Sequence, residues 1–193
     1  VFTHAHSSAS VCAPTRYALL AGNHVYRGRN PSGTWDHFSG SQIVSGQQTI
    51  ADVLRRSGYS TAFFGKSHLG STFLKQDGTI ANSFDDADLS QRFRDGPIDH
   101  GFECSLTLPA GIQSEPYAFF KNDRLARWDN KQRSWQHFSD DNGARAFFQK
   151  TASKRKKPEY RMDNWSTESV GPLLMHEALA FIDQHVATSE NDK

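Results

Sequence analysis

Two pairs of residues combine reactive side chains with a spacing that could do chemistry: Cys12 with Arg16, and Lys66 with His68. Cys12 opens the run Cys-Ala-Pro-Thr-Arg, which continues as Tyr17-Ala18-Leu19-Leu20-Ala21 and stops at Gly22. Pro14 suits a first helical turn, the apolar residues suit a short buried helix, and Gly22 suits its end. The thiol then stands at or just before a helix N-terminus, where free backbone N–H groups and the positive dipole end favour an anion. One helical turn later Arg16 returns to the cysteine's side with a fork suited to an oxyanion. Lys66 and His68 are two apart, so in extended backbone a cation and an imidazole share one face. Residue chemistry alone leaves plainer readings open: a buried apolar cysteine, a surface arginine, a salt-bridged lysine and a core histidine.

The elements that must position these groups are legible in part. Thr49 to Arg56 reads as a helix, with Thr49 and Asp52 as a capping-box pair, Ile50, Val53 and Leu54 as its apolar face, and Gly58 as its end. Tyr59 to Phe64 follows as a buried strand, a helix-to-strand step that indicates an α/β class. Gly65-Lys66-Ser67-His68-Leu69-Gly70 leaves that strand at its carboxyl end, where open α/β sheets bind ligands. Residues 23–33 read as a loop, and His24 and Arg27 are left out of the site. Residues 121–165 read as polar with repeated aromatics. Pro172 to about Val186 reads as a helix starting at Pro172, its core stripe made by Leu174, Ala178, Phe181, Ile182 and His185.

Composition limits the function classes. The chain has 193 residues, 14 Phe, 5 Tyr and 4 Trp, enough for one sizeable core or for part of a larger domain. A formal net charge of +1 argues against a nucleic-acid surface, and no apolar run approaches the roughly 20 residues of a membrane span, so a soluble protein is expected. The chain opens on Val1 with no initiator methionine or signal-peptide core, as if its beginning were removed. His4 and His6 alternate as strand neighbours would, but next to a ragged terminus they are read as incidental. Asp85, Asp86 and Asp88 are read as exposed turn acids and not as a calcium loop. Cys104 is expected to be unpaired. The basic run Lys154-Arg155-Lys156-Lys157 could meet a polyanion, but in a chain of near-zero net charge it is read as a solvated loop.

Residues 10–22 resemble the Cys-x-Pro-Ser/Thr-Arg signature of the type I sulfatases. Gly58 to His68 resembles the family's second signature, Gly-Tyr-x-Thr followed by Gly-Lys-x-His. Residues 101–103, 109–112 and 116–120 extend the resemblance more loosely. It implies an alkaline-phosphatase-like α/β sandwich, with a mixed sheet flanked by helices. Residues 1–193 would be part of one catalytic domain, without its N-terminal metal-binding strand and its C-terminal portion. Cys12 would be oxidised to formylglycine by a formylglycine-generating enzyme. One oxygen of the hydrated aldehyde would attack sulfur, and the second hydroxyl would let sulfate be expelled as the aldehyde reforms.

By the same resemblance Cys12, as formylglycine, would also be a metal ligand, for calcium, with magnesium as the alternative ion, acting as Lewis acid and template. Arg16 would hold the modified side chain and balance charge near the metal. Lys66 would contact the sulfate and the formylglycine oxygens, and His68 would hydrogen-bond the diol and the ester. Phe64 and Ser67 depart from the family pattern, which bears on pocket shape more than on chemistry. The substrate would be a sulfated small molecule or glycan, with no nucleic acid or membrane partner, and the family implies a periplasmic, secreted or lysosomal location. Two other readings share the motif: a phosphonate monoester hydrolase or phosphodiesterase of the same superfamily, and a degenerate, non-catalytic glycan-binding domain. The 193 residues alone are expected to be inactive.

Overall fold

Short-range signals at the chain's start are met closely. In the computed structural model, which describes residues 3–152 and 157–191 with side chains up to residue 187, helix α1 runs from Cys12 to Ala21. It ends where Gly22 turns left-handed at φ 62° and returns its N–H to the Ala18 carbonyl at 3.0 Å. One face, Ala13, Pro14 and Tyr17, is buried against a small cluster with Trp35, Ile43 and Leu69. The helix is not buried all round, since Leu19 is 73% exposed.

Helix α2 (Ile50–Arg56) has the capping box: Asp52 N–H donates to Thr49 Oγ1 at 3.2 Å, and Thr49 N–H donates to Asp52 Oδ2 at 2.8 Å. Its expected apolar face is not core. Ile50, Val53 and Leu54 lie toward solvent, and Ala51 is the buried position. The capped end is also anchored to the rest of the fold, where Thr49 Oγ1 donates to the His100 carbonyl at 2.7 Å.

Five strands form one sheet in the order β1-β2-β3-β4-β5: β1 (Ala62–Lys66), β2 (Cys104–Leu108), β3 (Phe119–Lys121), β4 (Arg124–Asp129) and β5 (Ser134–His137). β1 and β2 are parallel and the other pairs antiparallel, which makes the sheet mixed. The strand expected at Tyr59 begins three residues later, because Tyr59 N–H still bonds back to the Leu54 carbonyl at 3.1 Å as the chain leaves α2. As the outer strand of the order, β1 is half-buried along its length and not fully buried as expected.

The stretch read as polar, 121–165, carries much of the architecture. Asn122 and Asp123, at φ 49° and 62°, make the two-residue turn between β3 and β4, a geometry that suits these residue types. Helix α3 (Asp141–Phe147) and a hairpin of β6 (Phe148–Thr151) and β7 (Glu159–Met162) follow. Their aromatics close the main core: Phe148 and Tyr160 pack with Phe73, Phe84, Phe93 and Phe120.

Helix α4 runs from Thr167 to Asn191, so Pro172 lies in its second turn and not at its start. Val170, Leu173 and Leu174 pack on the sheet, and Phe181 meets Phe64 edge-on at 6.1 Å. Ile182 and His185 lie on the exposed side, which corrects the expected core stripe. Among the described residues no helix is long and apolar enough to cross a membrane.

Candidate active site

The end of β1 is held by backbone bonds to the end of β2 and meets the start of α1 through side chains. After Lys66, which pairs with Leu108, the chain stays beside β2: Ser67 N–H bonds the Leu108 carbonyl at 3.2 Å and His68 N–H the Pro109 carbonyl at 3.0 Å. His68 itself adopts φ 53°, a left-handed conformation. Lys66 and His68 therefore do not share a face of extended chain, as their spacing suggests. A turn at His68 brings the two side chains to the same atom instead.

That atom is the Cys12 thiol. His68 Nδ1 lies 3.3 Å from Cys12 Sγ, and Lys66 Nζ donates to the same sulfur at 3.8 Å. Cys12 is exposed at the first residue of α1, and Val11 caps the helix without any side-chain hydrogen bond. Thr15 N–H bonds the Val11 carbonyl at 3.3 Å, and Pro14 has no N–H, so the first-turn donors left free are those nearest the thiol. An open groove of about 560 Å³, bordered by Ser10, Val11, Thr15 and Leu19, leads to Cys12 and Arg16. Arg16 acts across the helix–strand junction: its Nη1 donates to the Lys66 carbonyl at 2.6 Å, while its Nε is buried without a partner. The four candidate residues are thus one connected group.

Its electrostatics follow from two cations at a partly enclosed imidazole. Burial, then the charges of Lys66 and Arg16, hold the His68 pKa down to about 4 against a smaller opposing pull from Asp36. His68 is neutral at neutral pH. His37, stacked on Phe84 at 4.9 Å, is likewise held down to about 4, first by burial and then by His68, with Asp36 opposing.

Sequence reading missed three contributors. Gln113 Oε1 accepts from Lys66 Nζ at 3.3 Å, and nothing in its neighbourhood in the sequence marks it. Gly111, at φ 84°, leaves space that a Cβ would close to 2.8 Å from Lys66 Cδ, and the Pro109-Ala110-Gly111 turn was a readable sign of it. His37, with Nδ1 buried and unpartnered, is coupled to His68 only through the fold.

The residues set aside have other employment. His24 stacks on Tyr26, and His4 and His6 are exposed. Asp85 pairs with Lys150 and Asp86 with Lys75, while Asp88 accepts from Ser90 and Gln91. Cys104 is a free, half-buried thiol. Lys154, Arg155 and Lys156 lie outside the described residues.

A calcium site does not fit the donors gathered here. Around Cys12 stand an imidazole and two cations, and among the described residues no three His, Cys, Asp or Glu side chains gather as a metal site would require. A hard cation takes six to eight oxygen ligands. What the group does suit is an anionic ester, met by an ammonium and by a neutral base beside a nucleophilic position.

A family model described as Sulfatase matches residues 1–165. The N-acetylgalactosamine-6-O-sulfatase of Bacteroides thetaiotaomicron is 28% identical over 128 residues, covering 66% of this chain and 23% of that protein. Human arylsulfatase H is 29% identical over 129 residues, covering 63% of this chain and 20% of its own length. Mouse arylsulfatase G is 38% identical over 72 residues, covering 36% of this chain and 13% of its own length. The chain spans about a fifth of the length of the first two relatives. A solved Bacteroides thetaiotaomicron structure, described under the metabolism of multiple glycosaminoglycans by a versatile core genetic locus, aligns with a TM-score of 0.62 at 20% identity. It covers 93% of this chain and 39% of its own, and the shared fold is the α/β arrangement of the alkaline-phosphatase-like proteins.

Proposed function

The chain belongs to the sulfatase family, and from that premise we propose that it is part of an enzyme hydrolysing sulfate monoesters through a formylglycine made from Cys12. One observation carries the reading: the thiol at the N-terminus of α1 is met by both His68 Nδ1 and Lys66 Nζ. Conversion of Cys12 by a formylglycine-generating enzyme would supply a hydrated aldehyde with one hydroxyl to attack and one to release sulfate. The neutral His68 imidazole is placed to accept a proton from a hydroxyl on residue 12. The Lys66 ammonium, kept in place by Gln113, binds the ester's anionic oxygens. Arg16 holds the end of β1 against α1 through the Lys66 carbonyl.

Residues 1–193 are one part of the catalytic domain in this reading, and the carboxylates for calcium come from residues outside them. The substrate is a sulfated sugar, a class supported by the printed activity of the N-acetylgalactosamine-6-O-sulfatase relative. The test is turnover by the full-length protein produced with a formylglycine-generating enzyme, comparing an aryl sulfate with a phosphodiester. Sulfate hydrolysis is expected to dominate. His68→Ala should lower kcat by about 10²–10⁴, and Lys66→Ala should mainly raise KM. Faster phosphodiester cleavage would assign the chemistry to phosphorus and overturn the proposal.

A further inference from the structure

The Lys66 ammonium can meet an ester reliably only if its long side chain is held in place, and one segment of the chain does the holding. Arg16 bonds the Lys66 main chain, while residues 109–116, which follow β2, enclose the side chain. Gly111 lets them close on it, since a Cβ there would stand 2.8 Å from Lys66 Cδ and 3.5 Å from its Cε and Cγ. Two residues on, Gln113 Oε1 accepts from Lys66 Nζ at 3.3 Å. The course of this segment therefore sets where the ammonium stands relative to Cys12 Sγ, here 3.8 Å away.

The segment is tied at both ends. At the β2 end, the His68 N–H bonds the Pro109 carbonyl at 3.0 Å. At the other end the chain enters a short parallel ladder with β7: Tyr117 N–H bonds the Tyr160 carbonyl at 2.9 Å, and Met162 N–H bonds the Tyr117 carbonyl at 3.0 Å. In a regular parallel ladder the preceding rung would run from the Tyr160 N–H to the carbonyl of residue 115. A side chain makes that rung instead. Glu115 Oε2 accepts the Tyr160 N–H at 2.7 Å.

This exchange has a geometric consequence. With its carboxylate in the rung, residue 115 satisfies the Tyr160 donor while its own main chain is released to turn from β7 toward Lys66. A charged acceptor makes the bond a strong one, and Tyr160 is only 9% exposed, so water is a poor replacement. Without the carboxylate the donor is best paired by the residue 115 carbonyl. That pairing draws the segment back along β7 and carries Gly111 and Gln113 off Lys66.

We propose that Glu115 is a positioning residue for the sulfate ester, holding residues 109–116 in the course that places the Lys66 ammonium beside Cys12. Its bond is to β7, and it acts on Lys66 through Gln113 and Gly111. The proposal rests on the reading of Lys66 as the group that binds the ester's anionic oxygens.

The experiment titrates full-length protein, carrying Cys12→Ala to prevent turnover, with an aryl sulfate. Added Lys66→Ala should weaken binding about tenfold or more, as for loss of a bond to a charged group. Glu115→Ala should weaken it severalfold, and Glu115→Gln, whose amide oxygen can take the same N–H, should restore it. Combining Glu115→Ala with Gln113→Ala should weaken it little beyond either alone, because both act on one ammonium. With Cys12 intact and converted, Glu115→Ala should raise KM and leave kcat nearly unchanged. Glu115→Asp, which keeps the charge and shortens the reach, should weaken binding in the same sense and serves if Glu115→Ala does not fold. Affinity that depends on Lys66 but is unmoved by Glu115→Ala or Glu115→Asp overturns the proposal alone, and so does a Glu115→Gln as damaging as Glu115→Ala. Affinity that Lys66→Ala leaves unchanged takes the ester away from Lys66 and overturns the proposal together with the reading beneath it.

Discussion

His68 and Asp123 show how burial acts on opposite charge types. His68 loses its proton to burial and to the cations Lys66 and Arg16, and so faces Cys12 as a neutral imidazole. Asp123, the second residue of the β3–β4 turn, has its side chain fully buried, and burial pushes its pKa up to about 7 despite the Ile98 N–H at 3.1 Å and Arg92 at 3.4 Å. An unfolded aspartate titrates near about 3.9, so the folded state holds the proton across the window between. Its contribution to stability is full below about pH 3.9 and is lost as pH rises to about 7. Asp123→Asn should remove that loss. In parallel thermal melts from pH 5 to 8, the wild type should fall relative to the variant as pH rises, and equal slopes would refute the assignment. Cys12, Arg16, Lys66 and His68 were legible because they sit in two short stretches of sequence. Gln113 and His37 were not, since their roles exist only once distant segments meet.

At the scale of elements, local signals read well and long-range ones poorly. The stop at Gly22 and the Thr49–Asp52 capping box need only neighbouring residues, and both are present. Thr49→Ala should cost about 1 kcal/mol, seen as a melting temperature lower by about 2–4 °C in a chain of this size. An unchanged melting temperature would mean that the cap does not hold α2. The strands between Lys121 and Met162 were missed because their short segments owe their pairing to partners far along the chain. Pro172 misled the reading of α4 because proline favours a helix start, whereas here the preceding turn begins at Thr167. Gly111 ties an element to the chemistry. Gly111→Ala would strain φ 84° and press on Lys66 Cδ, so KM for a sulfate ester should rise severalfold with Lys66 displaced. Wild-type KM in that variant would show that the turn does not position the ammonium.

For the whole molecule, the family and the α/β layering were legible, while the extent of the working unit was not. The chain spans 20–23% of two sulfatase relatives, and its described residues gather no metal site. Along α4, Met175, Leu179, Ile182 and Val186 form an exposed apolar stripe at helical spacing. We therefore expect negligible aryl sulfate turnover from the isolated 193 residues, and clear hydrolysis by pure material would refute their dependence on further chain. The central claim is that Cys12 becomes the nucleophile. Mass spectrometry of the peptide across Cys12, from full-length protein made with an active formylglycine-generating enzyme, tests it most directly. The account predicts a loss of about 18 Da, the change from thiol to aldehyde on the path to covalent catalysis. An unmodified thiol under those conditions would contradict it.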